Sequence, residues 1–467
     1  MTNSPSSKYP PGPHSILPYK IMRDFIRDPL KILMNVASTY GDIAHFYFGR
    51  QHVYLINNPY LIEDILIRNN KNCIKSKGLQ ISKRLLGEGL VTSEGEYHDR
   101  QRKIIQPAFH PNLIKKYGEI MTSYAENMCQ QWKDGIVIDI HKEMIKVTSS
   151  IISKAVLGSE IKTEEGDQIG DALLTCAEYI NRLLTPLGGF IEKIPVLRNN
   201  KDFQDAKKKL DSIVYNMIKE HRDNESKVDV AQHVDLLYTL LQSQDPEAGI
   251  ERMSDSQLRD EVMTIFLAGH ETTANALTWT FYLLSQNSKV ESKLYEELCF
   301  VLNNDKDDNS NGKMRIPNFK DVPKLEYTEK VFREAMRLYP PAWIIGRQVR
   351  KDFMLDKYTI PVGSIILMSQ YVMHRNPLYF SDPELFYPDR WTKEATLHLP
   401  RFSYFPFGGG IRGCVGESFA WMEGILLIAT FCRQWKMHHD TNHKVELKPL
   451  ITLRPKYGMN LKLEHRK

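Results

Sequence analysis

The chain has 467 residues, 42% hydrophobic and 25% charged, a balance that indicates a globular protein with a large core. Its 62 basic against 57 acidic residues leave a net charge of +5, so no nucleic-acid partner is expected. Six scattered cysteines without a C-x-x-C pair argue against a disulfide framework or a structural zinc site. The first residues, MTNSPSSKYPPGPHS, contain no apolar signal or spanning segment, and a cytoplasmic protein with no transmembrane segment is predicted.

Short strands are predicted near the beginning of the chain. Two β-rich runs, residues 43–48 and 52–56, flank Gly49 and indicate a hairpin. From about Asn112 onward the pattern becomes mainly helical. Turn-forming residues at 185–189 and 303–312 predict surface loops.

The C-terminal part begins with further β-like runs. These are residues 358–360 and 364–368, which a proline-punctuated coil follows to about Phe407. Neither a repeat nor a long linker interrupts the sequence. We therefore predict one domain over residues 1–467, mainly α with small sheets, after a flexible, proline-rich start of about fifteen residues.

One helix stands out by its length. Ser254 and Gln257 form a capping-box pattern, and helical periodicity continues to about Asn287. Its middle, residues 268–273, reads AGHETT, with a helix-weakening glycine, a carboxylate and two hydroxyl groups where apolar packing would be expected. A polar centre in a helix that crosses the whole domain indicates a functional site.

A glycine-rich loop surrounds Cys414. Residues 407–416 read FGGGIRGCVG, and glycines let backbone N–H groups approach a cysteine sulfur closely. Such donors keep a metal-bound thiolate ionised and adjust its redox potential. The segment 417–429 reads as a helix whose positive N-terminus favours the thiolate. Arg412 is placed to reach an anionic group of a cofactor.

This loop resembles the haem-binding signature F-x-x-G-x-R-x-C-x-G of the cytochrome P-450 family, beginning at Phe407. The resemblance extends over nearly the whole chain, from the segment PPGP at residues 10–13 to the C-terminus. It implies a helical prism with a small β-rich N-terminal lobe. It also implies haem b between the long helix and the cysteine loop, with Cys414 as the axial iron ligand.

Two further motifs follow the family order. Glu334 and Arg337 match its E-x-x-R, on a helix from about Leu325, and share one face at this spacing. Residues 387–391, YPDRW, resemble its P-E-R-F/W element with aspartate in place of glutamate. The resemblance gives Glu334, Arg337 and Arg390 a structural role, as a buried charge network that fixes the loop before the cysteine.

The resemblance also implies residues that hold the haem propionates. The segment 95–102 is similar to the family's W-x-x-x-R stretch, with His98 at the tryptophan position and Arg102 at the arginine position. Arg347 is a further propionate candidate, beside Arg412.

The long helix is implied to carry the acid and the alcohol that deliver protons to O2. Glu271 would relay protons from solvent, and Thr272 would hold the reduced oxygen or its water. Gly269 with Ala268 would open the helix enough for O2 to sit above the iron. The reaction predicted is hydroxylation by a monooxygenase that consumes O2 and two electrons.

Electrons are predicted to come from NAD(P)H through a separate reductase with a ferredoxin or flavodoxin, because the family core uses all 467 residues. A basic face for such an acidic partner is predicted from Arg100, Arg102, Lys103, Lys115 and Lys116. The same residues could equally form an ordinary solvated surface. The protein is expected to be a monomer.

Apolar residues predict a lipophilic substrate. Candidates for its pocket are Leu267, Trp343, Ile344 and Ile345; candidates for a lid are Tyr179, Leu183, Leu187 and Phe190. Residues 338–343 look like the corresponding segment of bacterial P-450 carotenoid hydroxylases, and residues 268–273 look like that of fatty-acid hydroxylases. A carotenoid or other terpenoid and a fatty acid therefore both stay open as the substrate.

Three alternatives on the same fold remain open: an H2O2-driven peroxygenase, a non-redox isomerase or dehydratase, and a haem sensor without turnover. Peroxygenases of this family lack the acid–alcohol pair that Glu271 and Thr272 supply here, and the isomerases and dehydratases tend to lose the threonine.

Overall fold

The computed structural model describes residues 9–13, 20–160, 163–183, 198–224, 235–243, 253–303 and 314–466. The α-helices of these residues are α1 Lys20–Arg27, α2 Pro29–Tyr40, α3 Pro59–Glu63, α4 Lys77–Leu86, α5 Gly95–Ile105, α6 Pro111–Gln131, α7 Ile140–Ala155, α8 Thr163–Leu183, α9 Arg198–Asn224, α10 Leu236–Gln242, α11 Asp255–Gln286, α12 Ser288–Leu302, α13 Glu326–Leu338, α14 Gln370–Met373, α15 Lys393–Thr396 and α16 Glu417–Gln434. The β-strands are β1 Ile43–Phe48, β2 Gln51–Ile56, β3 Cys73–Lys75, β4 Val137–Asp139, β5 Ile345–Val349, β6 Phe353–Leu355, β7 Tyr358–Ile360, β8 Ile365–Met368, β9 Trp435–His439, β10 Leu447–Pro449, β11 Leu453–Pro455 and β12 Asn460–His465.

The chain divides into two compact units, each built from separate stretches of sequence. The first unit comprises Met1–Ile81, Arg337–Leu385 and Thr392–Cys414; the second comprises Ser82–Met336, Phe386–Trp391 and Val415–Lys467. Both the E-x-x-R motif and the cysteine loop fall at a point where the chain passes from one unit to the other.

The first unit contains a five-stranded sheet in the order β1-β2-β8-β5-β3. Strands β1 and β2 form the predicted antiparallel hairpin, with Ile43 opposite Ile56, and β8 pairs parallel to β2. Strand β7 and strand β8 confirm the β-like runs predicted at 358–360 and 364–368. The β-rich lobe is therefore not N-terminal alone, because chain segments about 300 residues apart in sequence complete the same sheet.

The core of this unit anchors the approach to the cysteine loop. Phe402 and Phe405 are buried in one hydrophobic cluster with Tyr54 and Ile56 of β2 and Ile366 of β8. Residues of the sheet thus fix the chain a few positions ahead of Cys414.

Part of the N-terminal segment predicted to be flexible is packed within the same unit. Tyr9 stacks on His45 with ring centroids 4.7 Å apart, and the Pro11 carbonyl accepts a hydrogen bond from the His45 amide at 3.0 Å. The aromatic contact holds Tyr9, and the backbone hydrogen bond holds Pro11. The other described residues of this segment, up to Pro13, adjoin them in the chain.

The second unit is mainly helical and is organised around α11. The predicted capping box is confirmed, since the Ser254 amide donates to Gln257 Oε1 at 2.9 Å and the Gln257 amide donates to Ser254 Oγ. Helix α11 packs against α7, and α16 packs against α6. A three-stranded sheet, β4-β12-β9, and the β10-β11 hairpin belong to this unit.

The sequence reading of the first hundred residues was incomplete. Helices α1 to α5 precede Asn112, because their short amphipathic runs lie between β-rich segments and give a weaker periodic signal. The mainly α fold with small sheets is confirmed. Both predicted surface loops, 185–189 and 303–312, lie outside the described residues except for Asn303. Within the described residues, each helix is too short or too polar to cross a membrane.

Candidate active site: the cysteine loop and the long helix

The cysteine loop is a tight turn closed by its own backbone. The Cys414 amide donates to the Phe407 carbonyl at 3.0 Å, and the Gly413 amide donates to the Gly410 carbonyl at 3.0 Å. Gly410 has a φ of 70°, and a Cβ there would lie 2.4 Å from the Leu66 carbonyl oxygen. A side chain at this position is excluded both by the backbone conformation and by the neighbouring chain.

Cys414 differs from the other cysteines in its exposure. Its residue is exposed, Cys299 is half-buried, and the other four cysteines are buried. Burial makes a thiol inert, and raises the pKa of Cys176 and Cys432 to about 12. Cys414 is therefore the cysteine best placed to bind a metal or to react.

Two guanidinium groups converge near this loop within the first unit. Burial raises the pKa of the Cys73 thiol to about 11, and the positive charges of Arg347 and Arg412 oppose that rise. Arg347 is 9% exposed, with Nη1 donating to the Gly346 carbonyl, and Nη1 of Arg412 is shielded from solvent. Two cations close to one thiol form a positive region that suits an anionic ligand.

Arg337 holds the segment ahead of the loop. Its guanidinium is fully buried and donates to the carbonyls of His374 at 2.8 Å, Pro383 at 2.6 Å and Leu385 at 3.1 Å. His374 in turn accepts a hydrogen bond from the Phe405 amide through Nε2 at 3.0 Å. Arg337 is thus connected, through His374, to a residue two positions before Phe407.

Glu334 occupies a buried polar site in the second unit. It accepts hydrogen bonds from Arg390 Nε at 2.9 Å, from the Tyr387 amide at 3.0 Å and from Trp391 Nε1 at 2.9 Å. The segment YPDRW singled out in the sequence therefore wraps around this carboxylate.

The centre of α11 is a continuous helix at the AGHETT segment. Thr272 Oγ1 donates to the Ala268 carbonyl at 2.7 Å, and the Thr272 residue is half-buried. Gly269 allows α7 to approach, because a Cβ there would lie 2.7 Å from two side-chain atoms of Ile152. This packing requirement gives the glycine a second use that the sequence did not suggest.

Glu271 lies close to two residues that sequence reasoning missed. The Thr452 hydroxyl donates to Glu271 Oε1 at 2.7 Å, and Arg454 Nη1 lies 3.8 Å from the same oxygen. No local pattern could have revealed this, because strand β11 is about 180 residues further along the chain.

Helix α5 carries the remaining propionate candidates. His98 is 2% exposed, with Nδ1 lying 3.1 Å from Asp99 Oδ1, and Arg102 is half-buried. Of the predicted basic face, Lys103, Lys115 and Lys116 are exposed, while the Arg100 guanidinium lies over the Tyr97 ring at 5.1 Å.

The candidate substrate residues differ in accessibility. Leu267 and Trp343 are buried, and Ile344 and Ile345 are half-buried. Ile345 lies next to the cysteine loop, since a Cβ on Gly408 would be 3.4 Å from its Cδ1.

The lid candidates are only partly described. Tyr179 and Leu183 are buried, and Tyr179 stacks on Phe203 with centroids 4.3 Å apart. Leu187 and Phe190 lie outside the described residues.

Known proteins resemble this chain over nearly its whole length. The model of the Cytochrome P450 family matches residues 10–463. Cyclooctatin synthase of Streptomyces melanosporofaciens is 34% identical over 91% of this chain and 89% of its own. Cyclooctat-9-en-7-ol 5-monooxygenase of the same organism is 33% identical over 88% and 85%. Pentalenene oxygenase of Streptomyces avermitilis is 29% identical over 94% of each chain.

The chain belongs to the cytochrome P450 family. It is a monooxygenase whose cofactor is haem, as the family and the relatives named as oxygenases establish. The roles of individual residues follow from the geometry above and are argued next.

Proposed function

We propose that the protein hydroxylates a lipophilic, terpenoid substrate at a haem held by Cys414, using O2 and electrons from a separate donor protein. The observation that carries this proposal is the cysteine loop. Its exposed thiol follows a glycine turn that no side chain could enter at Gly410. Helix α16, which begins three residues later, adds a positive helix end that favours thiolate.

The donor set of the first unit fits haem. Cys414 supplies a soft sulfur ligand, which suits iron. Arg347 and Arg412 supply the positive charge that two propionates require, and His98 and Arg102 on α5 are further candidates for them. When bound, haem would activate O2 and deliver one of its oxygen atoms to the substrate.

Thr272 and Glu271 would supply the protons. The Thr272 hydroxyl is both a donor and an acceptor, and rotation away from the Ala268 carbonyl lets it donate elsewhere. Glu271, next to it in sequence, has a side chain 12% exposed and can exchange protons with water. The pair would move protons from solvent toward the face of α11 on which the exposed Ala268 lies.

The substrate class rests on the relatives and on the apolar side chains. The names of two relatives denote oxygenation of pentalenene and of cyclooctat-9-en-7-ol, an alkene and an alkenol. Ile345, half-buried beside the cysteine loop, would present an apolar contact to such a molecule. Apolar contacts suit any lipophilic substrate, and the names of the relatives favour a terpenoid over a fatty acid.

The donor would dock through charge. Lys103, Lys115 and Lys116 are exposed on α5 and the start of α6, where an acidic ferredoxin or flavodoxin could approach. NAD(P)H would reduce that donor through its own reductase.

The test has two stages on purified, haem-loaded protein. Terpenoids, carotenoids and fatty acids are first titrated while the haem Soret band is followed. The best ligand is then incubated with isotopically labelled O2, NAD(P)H, ferredoxin and reductase. A product that carries one labelled oxygen atom is expected. If H2O2 alone supports conversion of every terpenoid that binds, and the donor system supports conversion of none, the proposal is refuted in favour of a peroxygenase.

A further inference from the structure

A chain of buried side chains leads away from Glu271 within the second unit. Helix α11 carries Glu271 and Asn275 one turn apart. Asn275 Nδ2 donates to Thr452 Oγ1 at 3.2 Å, and Thr452 Oγ1 donates to Glu271 Oε1 at 2.7 Å. At the far end, His141 Nε2 lies 3.1 Å from Asn275 Oδ1.

The groups in this chain are shielded from solvent. His141, Asn275 and Thr452 are buried at 4%, 0% and 6% exposure. Arg454 is 5% exposed, and its Nη1 has Glu271 Oε1 at 3.8 Å. Buried polar groups are costly unless they are hydrogen-bonded, so the bonds that link His141, Asn275 and Thr452 to Glu271 strongly determine how these side chains are arranged.

The protons in the chain can point in only one direction. Burial, together with the nearby Arg454 and Lys142 charges, lowers the pKa of His141 to about 3, so its ring is neutral and must carry its proton on Nε2 to bond Asn275 Oδ1. Asn275 then donates to Thr452. Thr452 has a single hydroxyl proton, which is therefore directed at Glu271 Oε1.

This direction excludes proton conduction along the chain. The amide of Asn275 cannot accept a proton on one side and release one on the other under ordinary conditions. The chain therefore positions Glu271 without supplying protons to it. The segment that carries Thr452 and Arg454 is itself fixed, because Trp279 Nε1 donates to the Leu453 carbonyl at 3.0 Å.

We propose that Thr452 and Arg454 are positioning residues that hold Oε1 of Glu271 as a hydrogen-bond acceptor, so that protons are exchanged only at Oε2. The hydroxyl of Thr452 fixes the carboxylate in one rotamer, and the positive charge of Arg454, 3.8 Å away, attracts the same oxygen. The inference rests on the proposed function of Glu271 in proton delivery.

The test compares Thr452→Val, which removes the hydroxyl and keeps the shape, with Thr452→Ser, which keeps the hydroxyl. In the haem-loaded enzyme with its electron donor, Thr452→Val should lower product formed per NAD(P)H roughly tenfold, the effect of losing a hydrogen bond to a charged group. Thr452→Ser should restore most of it. The substrate-induced Soret shift should be unchanged in both.

The matched control is Thr278→Val, a buried threonine two turns further along α11 that bonds only the Ala274 carbonyl in the described residues. It should keep the wild-type product ratio. A loss as large as that of Thr452→Val would attribute both effects to general disturbance of the packing around α11 and overturn the proposal.

Coupling between the two residues provides a second measurement. In a Glu271→Gln background, Thr452→Val should have little further effect on the product ratio, and the shifts of the urea midpoint should be less than additive. Full additivity in both would overturn the positioning role. If Thr452→Val forms as much product per NAD(P)H as wild type while Glu271→Gln forms less, this inference alone is refuted. If Glu271→Gln itself forms as much product per NAD(P)H as wild type, the proposed function of Glu271 is refuted.

Discussion

The carboxylate of Glu334 accepts a 2.9 Å hydrogen bond from Nε of Arg390, with the two side chains 0% and 9% exposed. The same carboxylate also bonds the Tyr387 amide and Trp391 Nε1, so one buried charge organises a whole turn of chain. A buried pair is expensive to separate, because the remaining charge has no solvent to stabilise it.

Replacement of Glu334 should therefore affect folding and haem retention rather than the chemical step. Glu334→Ala leaves Arg390 buried without its carboxylate, at a cost of about 3–5 kcal/mol. Haem content per protein and the urea midpoint should both fall sharply. Glu329→Ala, an exposed glutamate on the same helix, is the control and should behave as wild type. A folded, haem-replete Glu334→Ala with only slow turnover would contradict the structural role.

Loss of the Thr272 hydroxyl should uncouple electron use from product formation. In Thr272→Ala, NAD(P)H oxidation should continue while product falls and H2O2 rises, because protons no longer reach the reduced oxygen in the required order. Thr278→Ala is a matched control, since the Thr278 hydroxyl makes the same bond to the carbonyl four residues earlier. If Thr272→Ala and Thr278→Ala form the same amount of product per NAD(P)H, Thr272 has no role in proton delivery.

Glu423 on α16 should make stability fall as pH rises. Burial raises the pKa of its carboxyl from 4.5 to about 8, and the Thr273 hydroxyl offsets only part of that rise. Between these two values the folded protein holds a proton that the unfolded chain releases, so wild-type stability declines by up to about 1.4 kcal/mol per pH unit. Glu423→Gln lacks this loss.

The corresponding measurement is urea unfolding at about pH 5 and about pH 8. The free energy of unfolding of Glu423→Gln should exceed that of wild type by more at about pH 8 than at about pH 5. At still higher pH this difference should become constant. Glu417→Gln, at an exposed position on the same helix, should show no such trend. Parallel pH responses of Glu423→Gln and wild type would mean that the carboxyl is ionised in the folded protein.

Electron transfer from the donor should depend on ionic strength. The Debye length shortens from about 14 Å at 0.05 M salt to about 4 Å at 0.5 M, so the rate at limiting ferredoxin should fall. Lys103→Glu and Lys115→Glu should raise the apparent KM for the donor, whereas Lys219→Glu on α9 should not. Turnover with NAD(P)H and no donor protein would contradict a separate electron source; salt-independent kinetics would refute only the basic face.

Local sequence patterns were sufficient for the elements that carry chemistry. The beginning of α11 followed from its capping box and its end from helical periodicity, and the beginning of α16 at Glu417 followed from the end of the glycine loop. The hairpin around Gly49 followed from alternation and a turn residue. Each of these signals is contained in a short window.

Long-range relationships could not be predicted in this way. Thr452 and Arg454 show no local sign of contact with Glu271, and Phe405 shows none of its bond to His374. The parallel pairing of β2 with β8 likewise joins segments distant in sequence. Such contacts depend on the complete fold, and they determine how the acid of α11 and the cysteine loop are held.

The most direct measurement is the reduced CO difference spectrum of wild type, Cys414→Ala and Cys299→Ala. Thiolate ligation by Cys414 predicts a band near about 450 nm in wild type and in Cys299→Ala, and its loss in Cys414→Ala. Persistence of the band in Cys414→Ala would contradict the assignment of Cys414 as the iron ligand.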